Sequence, residues 1–105
     1  MAEINLIKWL SEWYLNNCDN DWEHDYGVKI DTLDNPGWTV VIDIENTGVN
    51  IENRPWQTFE YSSTDWYYYK IENGKYEASG DPTKLERLIL IFKDLVEKKT
   101  DDSSY

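Results

Sequence analysis

Apolar residues recur at spacings of three and four near the start of the chain: Ile4, Ile7, Leu10, Trp13 and Tyr14, with Lys8, Glu12 and Asn16 opposite them. That period predicts an amphipathic helix from Ile4 to about Asn17, its apolar stripe widened by Leu6 and Trp9. The helix should stop in Asn16-Asn17-Cys18-Asp19-Asn20-Asp21, whose side chains favour local turns over helix. From Tyr26 the period becomes two. Tyr26, Val28 and Ile30 alternate with Gly27, Lys29 and Asp31, and Trp38, Val40, Ile42 and Ile44 alternate with Thr39, Val41, Asp43 and Glu45. Between the two runs lies Asp34-Asn35-Pro36-Gly37, where Pro36 at i+1 and Gly37 at i+2 fit a type II turn. The pair is a hairpin with one buried face.

After a loop over Asn50 to Pro55, strands are predicted over Trp56–Tyr61, Asp65–Glu72 and Lys75–Ser79, the last two joined by Asn73-Gly74 in a type I′ turn. Trp66-Tyr67-Tyr68-Tyr69 is apolar on both faces, so this strand is either covered on both sides or exposes rings on one. Gly80-Asp81-Pro82 reads as a helix start, with Asp81 as N-cap and Pro82 in the first turn. On that reading Asp81→Ala costs about 0.5–2 kcal/mol. Leu85, Leu88, Ile89, Phe92, Leu95 and Val96 then form a helical stripe beside Ile91, with Lys93, Lys98 and Lys99 toward the favourable C-terminal end. Residues 100–105 read as a frayed tail. The expected fold is a single α+β domain over 1–105, in the order α-β-β-β-β-β-α. Its antiparallel sheet is joined by hairpins, with the N- and C-terminal helices packed on one face. The opposite face is then left to solvent or a partner.

Composition sharpens this picture. The six Trp, eight Tyr and two Phe are enough to build a core, so a low mean hydropathy of −0.75 reflects a charged surface, not disorder. The net charge of −11 is uneven. Residues 1–53 hold eleven carboxylates against Lys8 and Lys29, whereas residues 54–105 hold ten against eight basic residues. Such a surface disfavours nucleic acid and anionic lipid, which are bound by neutralising phosphate. It attracts cations or a basic protein. Plain solubility is the bland explanation of the same charge. The single Cys18 cannot form an internal disulfide, which points to a reducing compartment and a cytoplasmic location. No apolar run reaches membrane-spanning length, and the first residues have no signal-peptide pattern.

The densest polar stretch is Cys18 to Gly27, and several chemistries compete for it. Asp19 and Asp21 have the spacing of calcium ligands but lack the central Gly and closing Glu of an EF-hand loop. Cys18 and His24 offer two zinc ligands without a third His or Cys. His24 among carboxylates could serve as a general base, which keeps a small metal-dependent or carboxylate-based hydrolase as the alternative function. No nucleophile elbow, Cys–His pair or phosphate loop supports it. In the bland reading Asp19 and Asp21 cap turns, Trp22 and Tyr26 are core, and His24 is a surface residue. Trp9, Trp13 and Trp38 follow core positions. Trp22, Trp56 and Trp66 are undetermined between core and exposed anchors, and exposed aromatics among acids have the make-up of a binding hot spot.

Trp9-Leu10 with Trp13-Tyr14, then Cys18-Asp19, Asp21-Trp22-Glu23-His24 and Tyr26-Gly27-Val28, resemble the opening of the immunity protein 53 family. Thr32-Leu33-Asp34-Asn35-Pro36-Gly37-Trp38, Ile42-Asp43, Ile71-Glu72-Asn73 and Gly80-Asp81-Pro82 continue the resemblance, which spans roughly residues 6–95. It implies a small bacterial cytosolic protein that binds and neutralises a cognate toxin, needing neither catalysis nor cofactor. Many nucleic-acid-attacking toxins must carry basic patches, and carboxylates can occupy such a patch after electrostatic steering. The expected partner-binding residues are Asp19, Asp21, Glu23, His24 and Asp25 in the loop, with Asp31, Asp43 and Glu45 extending the patch. Trp22, Trp66 and Tyr67 are the candidate anchors. No metal or cofactor is expected, and the chain should be a monomer or weak homodimer, since a free sheet edge could pair with a copy of itself or with the toxin.

Overall fold

The computed structural model of the protein describes residues 5–98; Ile4, Lys99 and the expected tail 100–105 lie outside the described residues. Asn5 opens helix α1, Leu6–Asn17, by accepting the Lys8 amide on its side-chain oxygen at 2.9 Å. The buried stripe is Leu6, Leu10 and Trp13. It is rotated from the sequence expectation, since Ile7 is 60% exposed and Tyr14 is exposed as well. The rotation follows from what covers α1: Trp9 and Trp13 both turn edge-on to Phe92 of the last helix. A short helix, α2 (Trp22–Asp25), stands where the sequence suggested only turns.

The five strands are β1 (Val28–Leu33), β2 (Gly37–Asp43), β3 (Arg54–Ser62), β4 (Asp65–Glu72) and β5 (Lys75–Gly80). They form one sheet in the order β1-β2-β5-β4-β3, with every neighbouring pair antiparallel. Hairpins join β1 to β2, β3 to β4 and β4 to β5. The link from β2 to β3 is no hairpin, because residues 44–53 carry the chain from the interior of the sheet to its far edge. The Asn73-Gly74 turn has φ of 55° and 74°, the two left-handed residues of a type I′ turn. Gly37, by contrast, is not among the residues with positive φ. It opens β2 opposite Leu33, so the expected type II turn is not formed. A Cβ at Gly37 would meet the Gly80 carbonyl oxygen at 2.5 Å, and the close approach of β2 to β5 is what excludes a side chain there.

Register divides the residues between two faces. Val40 and Ile42 of β2, Tyr76 and Ala78 of β5, and Tyr69 and Ile71 of β4 share the buried face. The last helix, α3 (Leu85–Glu97), lays Leu88, Ile89, Phe92 and Leu95 onto it. Phe92 is fully buried, with Trp13, Tyr76 and Trp9 rings at 5.0, 5.2 and 6.0 Å. The Tyr76 hydroxyl donates to the Leu88 carbonyl at 2.6 Å, tying sheet to helix. Both long helices therefore lie on one face, and the α+β class is as the sequence implied.

Asp81 is not the N-cap of α3. The helix begins at Leu85 with Lys84 in the cap position and no side-chain cap bond. Asp81 is instead the sole buried charged or polar residue among those described, at 0% exposure. Its Oδ1 accepts from the Thr83 amide (2.8 Å) and hydroxyl (2.7 Å), and its Oδ2 from the Trp66 amide (2.8 Å) and Lys84 Nζ (2.9 Å). The Asp81 amide also donates to the Trp66 carbonyl at 3.0 Å. One carboxylate thus joins the start of β4 to the chain leaving β5. Burial alone would raise its pKa, but the Lys84 and Thr83 side chains and the Trp66 and Thr83 amides outweigh it and hold the carboxyl far below the usual carboxylate range.

Two stability outcomes follow. Phe92→Ala should cost about 3–5 kcal/mol in urea denaturation, because α1, β5 and α3 lose a shared contact. Asp81→Asn should cost about 1–3 kcal/mol at neutral pH, since a charged acceptor of four hydrogen bonds is lost, while Lys84 keeps its ion pair with Asp65 at 2.8 Å. The depressed folded pKa makes Asp81's contribution present above the unfolded value of about 4 and lost as pH falls below it. The gap between wild type and Asp81→Asn should therefore narrow in denaturation curves taken below about pH 4.

Candidate functional site

The loop from Asp19 to Asp25 holds itself together with two of its own acids. Asp19 Oδ1 accepts from the Asp21 amide at 3.0 Å and the Trp22 amide at 2.9 Å. Glu23 returns the arrangement, accepting from the Asp19 amide at 2.9 Å and the Asn20 amide at 2.8 Å. This is a reciprocal cap at the start of α2. The Trp22 and Asp21 amides lower the Asp19 pKa, and amides of Glu23 itself, Asp19 and Asn20, helped by His24, lower that of Glu23. Both acids are therefore held ionised by the backbone of the loop they fold.

Asp21, His24 and Asp25 are exposed, and their side chains take part in none of the hydrogen bonds or ion pairs among the described residues. Asp19, Asp21 and Asp25 line a shallow cleft of about 310 Å³ with Trp22, Tyr26 and Asn46. No group of three or more His, Cys, Asp or Glu among the described residues is placed to hold a metal ion. No described helix is long and apolar enough to cross a membrane.

Trp22 is 4% exposed and is a core residue, not an exposed anchor. Its ring stacks on Tyr26 and meets Trp13 edge-on, and its indole N–H donates to the Glu45 carbonyl at 2.9 Å. The Asp-Trp-Glu-His motif thus places one buried ring between a helix and the end of β2, with Asp21 and His24 left outside. Asp43 is likewise committed to structure, accepting from the Gly27 amide at 2.9 Å and Lys75 at 2.8 Å. The Glu45 side chain is exposed and lies against Gly74. Asp31 is exposed on β1, with its carboxylate on the Thr32 amide at 2.9 Å.

Trp66 and Tyr67 do not act together, because adjacent strand residues face opposite ways. Tyr67 lies on the helix side, stacked on Phe59 at 4.8 Å with the Arg87 guanidinium 5.7 Å from its ring. Burial raises its pKa. Trp66 belongs to the other face, stacked on Tyr68 at 5.7 Å. Tyr68 in turn meets Trp56 edge-on at 5.0 Å, and Lys70 Nζ sits 4.8 Å from the Trp56 ring. None of the helices among the described residues packs on this face, so Trp56, Trp66 and Tyr68 form a partly exposed aromatic cluster spanning β3 and β4. The strand's doubly apolar run thus resolves as rings half-buried on one face. Tyr68, Trp56 and Lys70 were absent from the expected set. Alternation from Trp66 pointed to Tyr68, but irregular β3 pairing between Arg54 and Gln57 hid the placement of Trp56.

A sequence profile described as immunity protein 53 matches residues 7–97 of the chain. No match was found among curated proteins or among solved structures.

Acrylamide quenching should separate the two kinds of tryptophan. Trp56, at 48% exposure, should supply much of the accessible emission, so Trp56→Phe should lower the quenchable fraction. Trp22→Phe should leave that fraction unchanged while lowering the melting temperature through the lost indole hydrogen bond.

Proposed function

This chain belongs to the immunity protein 53 family, and on that premise we propose that it binds and neutralises a cognate bacterial toxin domain by occlusion. The observation that supports this most is the sheet face bearing Trp56, Trp66 and Tyr68, which no helix among the described residues covers. Rigid, partly exposed rings give large contact area at small entropic cost, as interface anchors do. The uncommitted Asp21 and Asp25 carboxylates supply the second component. They lie in the half of the chain that carries most of the excess negative charge, and they suit a basic toxin surface such as a nuclease's phosphate site.

The two components act on different steps. Carboxylates at the rim steer encounter and raise the association rate, with strong salt dependence. Buried rings at the centre slow dissociation. Asp19, Glu23 and Asp43 contribute field but keep their hydrogen bonds within the fold. The role is that of a bacterial cytoplasmic inhibitor which performs no chemistry of its own. No observation favours a hydrolase built on His24, whose ring makes no hydrogen bond to a carboxylate among the described residues.

Co-expression with the toxin domain encoded beside this gene, followed by co-purification, tests the role itself. Surface plasmon resonance on the purified pair then tests the surfaces. Asp21→Lys with Asp25→Lys should slow association about tenfold or more at low salt and flatten its salt dependence. Trp66→Ala with Tyr68→Ala should act on dissociation, costing about 2 kcal/mol or more. A folded quadruple variant with wild-type rates would sink this placement, and no complex with the toxin would sink the role.

A further inference from the structure

The sheet has two edges, and they are built differently. The β3 edge carries Pro55 and two register shifts, the devices by which natural sheets spoil an edge for pairing. The β1 edge has neither: Val28 to Leu33 run in unbroken register with β2. The Asp43 amide donates to the Gly27 carbonyl at 3.0 Å, which sets the alternation along β1. Lys29, Asp31 and Leu33 turn their backbone groups to β2, whereas Val28, Ile30 and Thr32 turn theirs outward. Among the described residues these outward groups have one partner, the Asp31 carboxylate on the Thr32 amide.

We propose that β1 is a self-pairing edge, to which a second copy of this chain adds its own β1 antiparallel about a two-fold axis at Ile30. The charges select both occupant and register. Centred on Ile30, the pairing sets Lys29 opposite the partner copy's Asp31 and Asp31 opposite its Lys29, twice over by symmetry. These are non-hydrogen-bonded positions, where facing side chains come closest. Shifting the axis by one residue sets Lys29 against Lys29, or Asp31 against Asp31. Within β1 only the Ile30-centred pairing sets opposite charges face to face, and a chain segment without this alternation would not match it. Ile30 would pair with Ile30 and Val28 with Thr32, satisfying all the outward groups of the three residues. Asp31 would leave the Thr32 amide for the opposing Lys29.

The helix side of the same edge supplies the apolar component. Ile7, Leu10 and Tyr14 of α1 and Val28 and Ile30 of β1 line a groove of about 390 Å³. Ile7 and Ile30 are 60% and 40% exposed, and Leu15 is exposed nearby on the same helix. Strands spaced about 4.8 Å apart bring the two Ile30 side chains together and run one groove into the other. The aromatic face of each copy then lies on the same side of a ten-stranded sheet. This inference stands whether or not the chain neutralises a toxin.

Sedimentation equilibrium of the full chain alone tests it, at about 0.15 M salt or above, where screening over about 8 Å limits repulsion between two acidic chains. The wild type should show a concentration-dependent dimer. Lys29→Asp and Asp31→Lys should each weaken self-association about tenfold or more, by turning two attractive cross-strand pairs repulsive. The double variant Lys29→Asp/Asp31→Lys should restore it, with circular dichroism unchanged throughout. Carbodiimide treatment of the wild type should give a cross-link between Lys29 of one copy and Asp31 of the other. A wild type that stays monomeric into the millimolar range overturns the proposal, and so does a dimer indifferent to the single reversals or not rescued by the double. Pairing of β1 only with an added toxin domain overturns it in favour of strand addition by the toxin.

Discussion

The fold hangs on a chain of aromatic rings with Phe92 at its middle. Tyr69 of β4 touches Tyr76 of β5, Tyr76 touches Phe92 of α3, Phe92 touches Trp13 of α1, and Trp13 touches Trp22 of α2. Each contact is edge-on or tilted, the geometry in which ring quadrupoles attract. A small domain has little aliphatic core to spare, and here the rings supply its continuity. They also explain the rotation of α1. A stripe centred on Ile7 and Tyr14 would satisfy the helical period equally well, but only the side bearing Trp9 and Trp13 reaches Phe92.

That single meeting point decides which surface is left. Both long helices meet at Phe92, so both lie on one side of the sheet, and no helix among the described residues covers the other. The partly exposed cluster of Trp56, Trp66 and Tyr68 follows from topology as much as from sequence. Desolvating large rings is favourable wherever a partner can supply the cover, so the uncovered face and the proposed binding role follow from one packing constraint.

The periodic elements were legible because their signals are local. The period-two runs of β1 and β2, the Asn73-Gly74 turn and the stripe of α3 all depend on neighbours a few residues away. Gly80-Asp81-Pro82 misled for the opposite reason. Its local pattern is that of a helix start, but Asp81 answers to Trp66, fifteen residues earlier in the chain, through a pairing that only the β4–β5 register creates. Trp22 was undetermined on the same ground, since its buried state depends on the Glu45 carbonyl and on Trp13. The strand order was likewise out of reach, because no local pattern distinguishes β2 beside β3 from β2 beside β5. Of the candidate site, composition and Trp66 were readable from the sequence, but how its acids divide was not.

That division is the physical key to the acidic surface. A net charge of −11 opposes compaction, yet Asp19, Glu23, Asp43 and Asp81 each accept from backbone amides that need partners. For these four, negative charge is part of the structure, and the fold gains by keeping Asp19, Glu23 and Asp81 ionised. Asp21 and Asp25 receive no such return among the described residues. Their charge adds to the repulsion within the chain without a compensating bond, and a basic surface brought against them relieves it. An acid that the fold does not use is one whose energetic purpose, where it has one, lies in a partner. Asp21 and Asp25 stand beside the committed Asp19 in one cleft, so used and unused acids meet there.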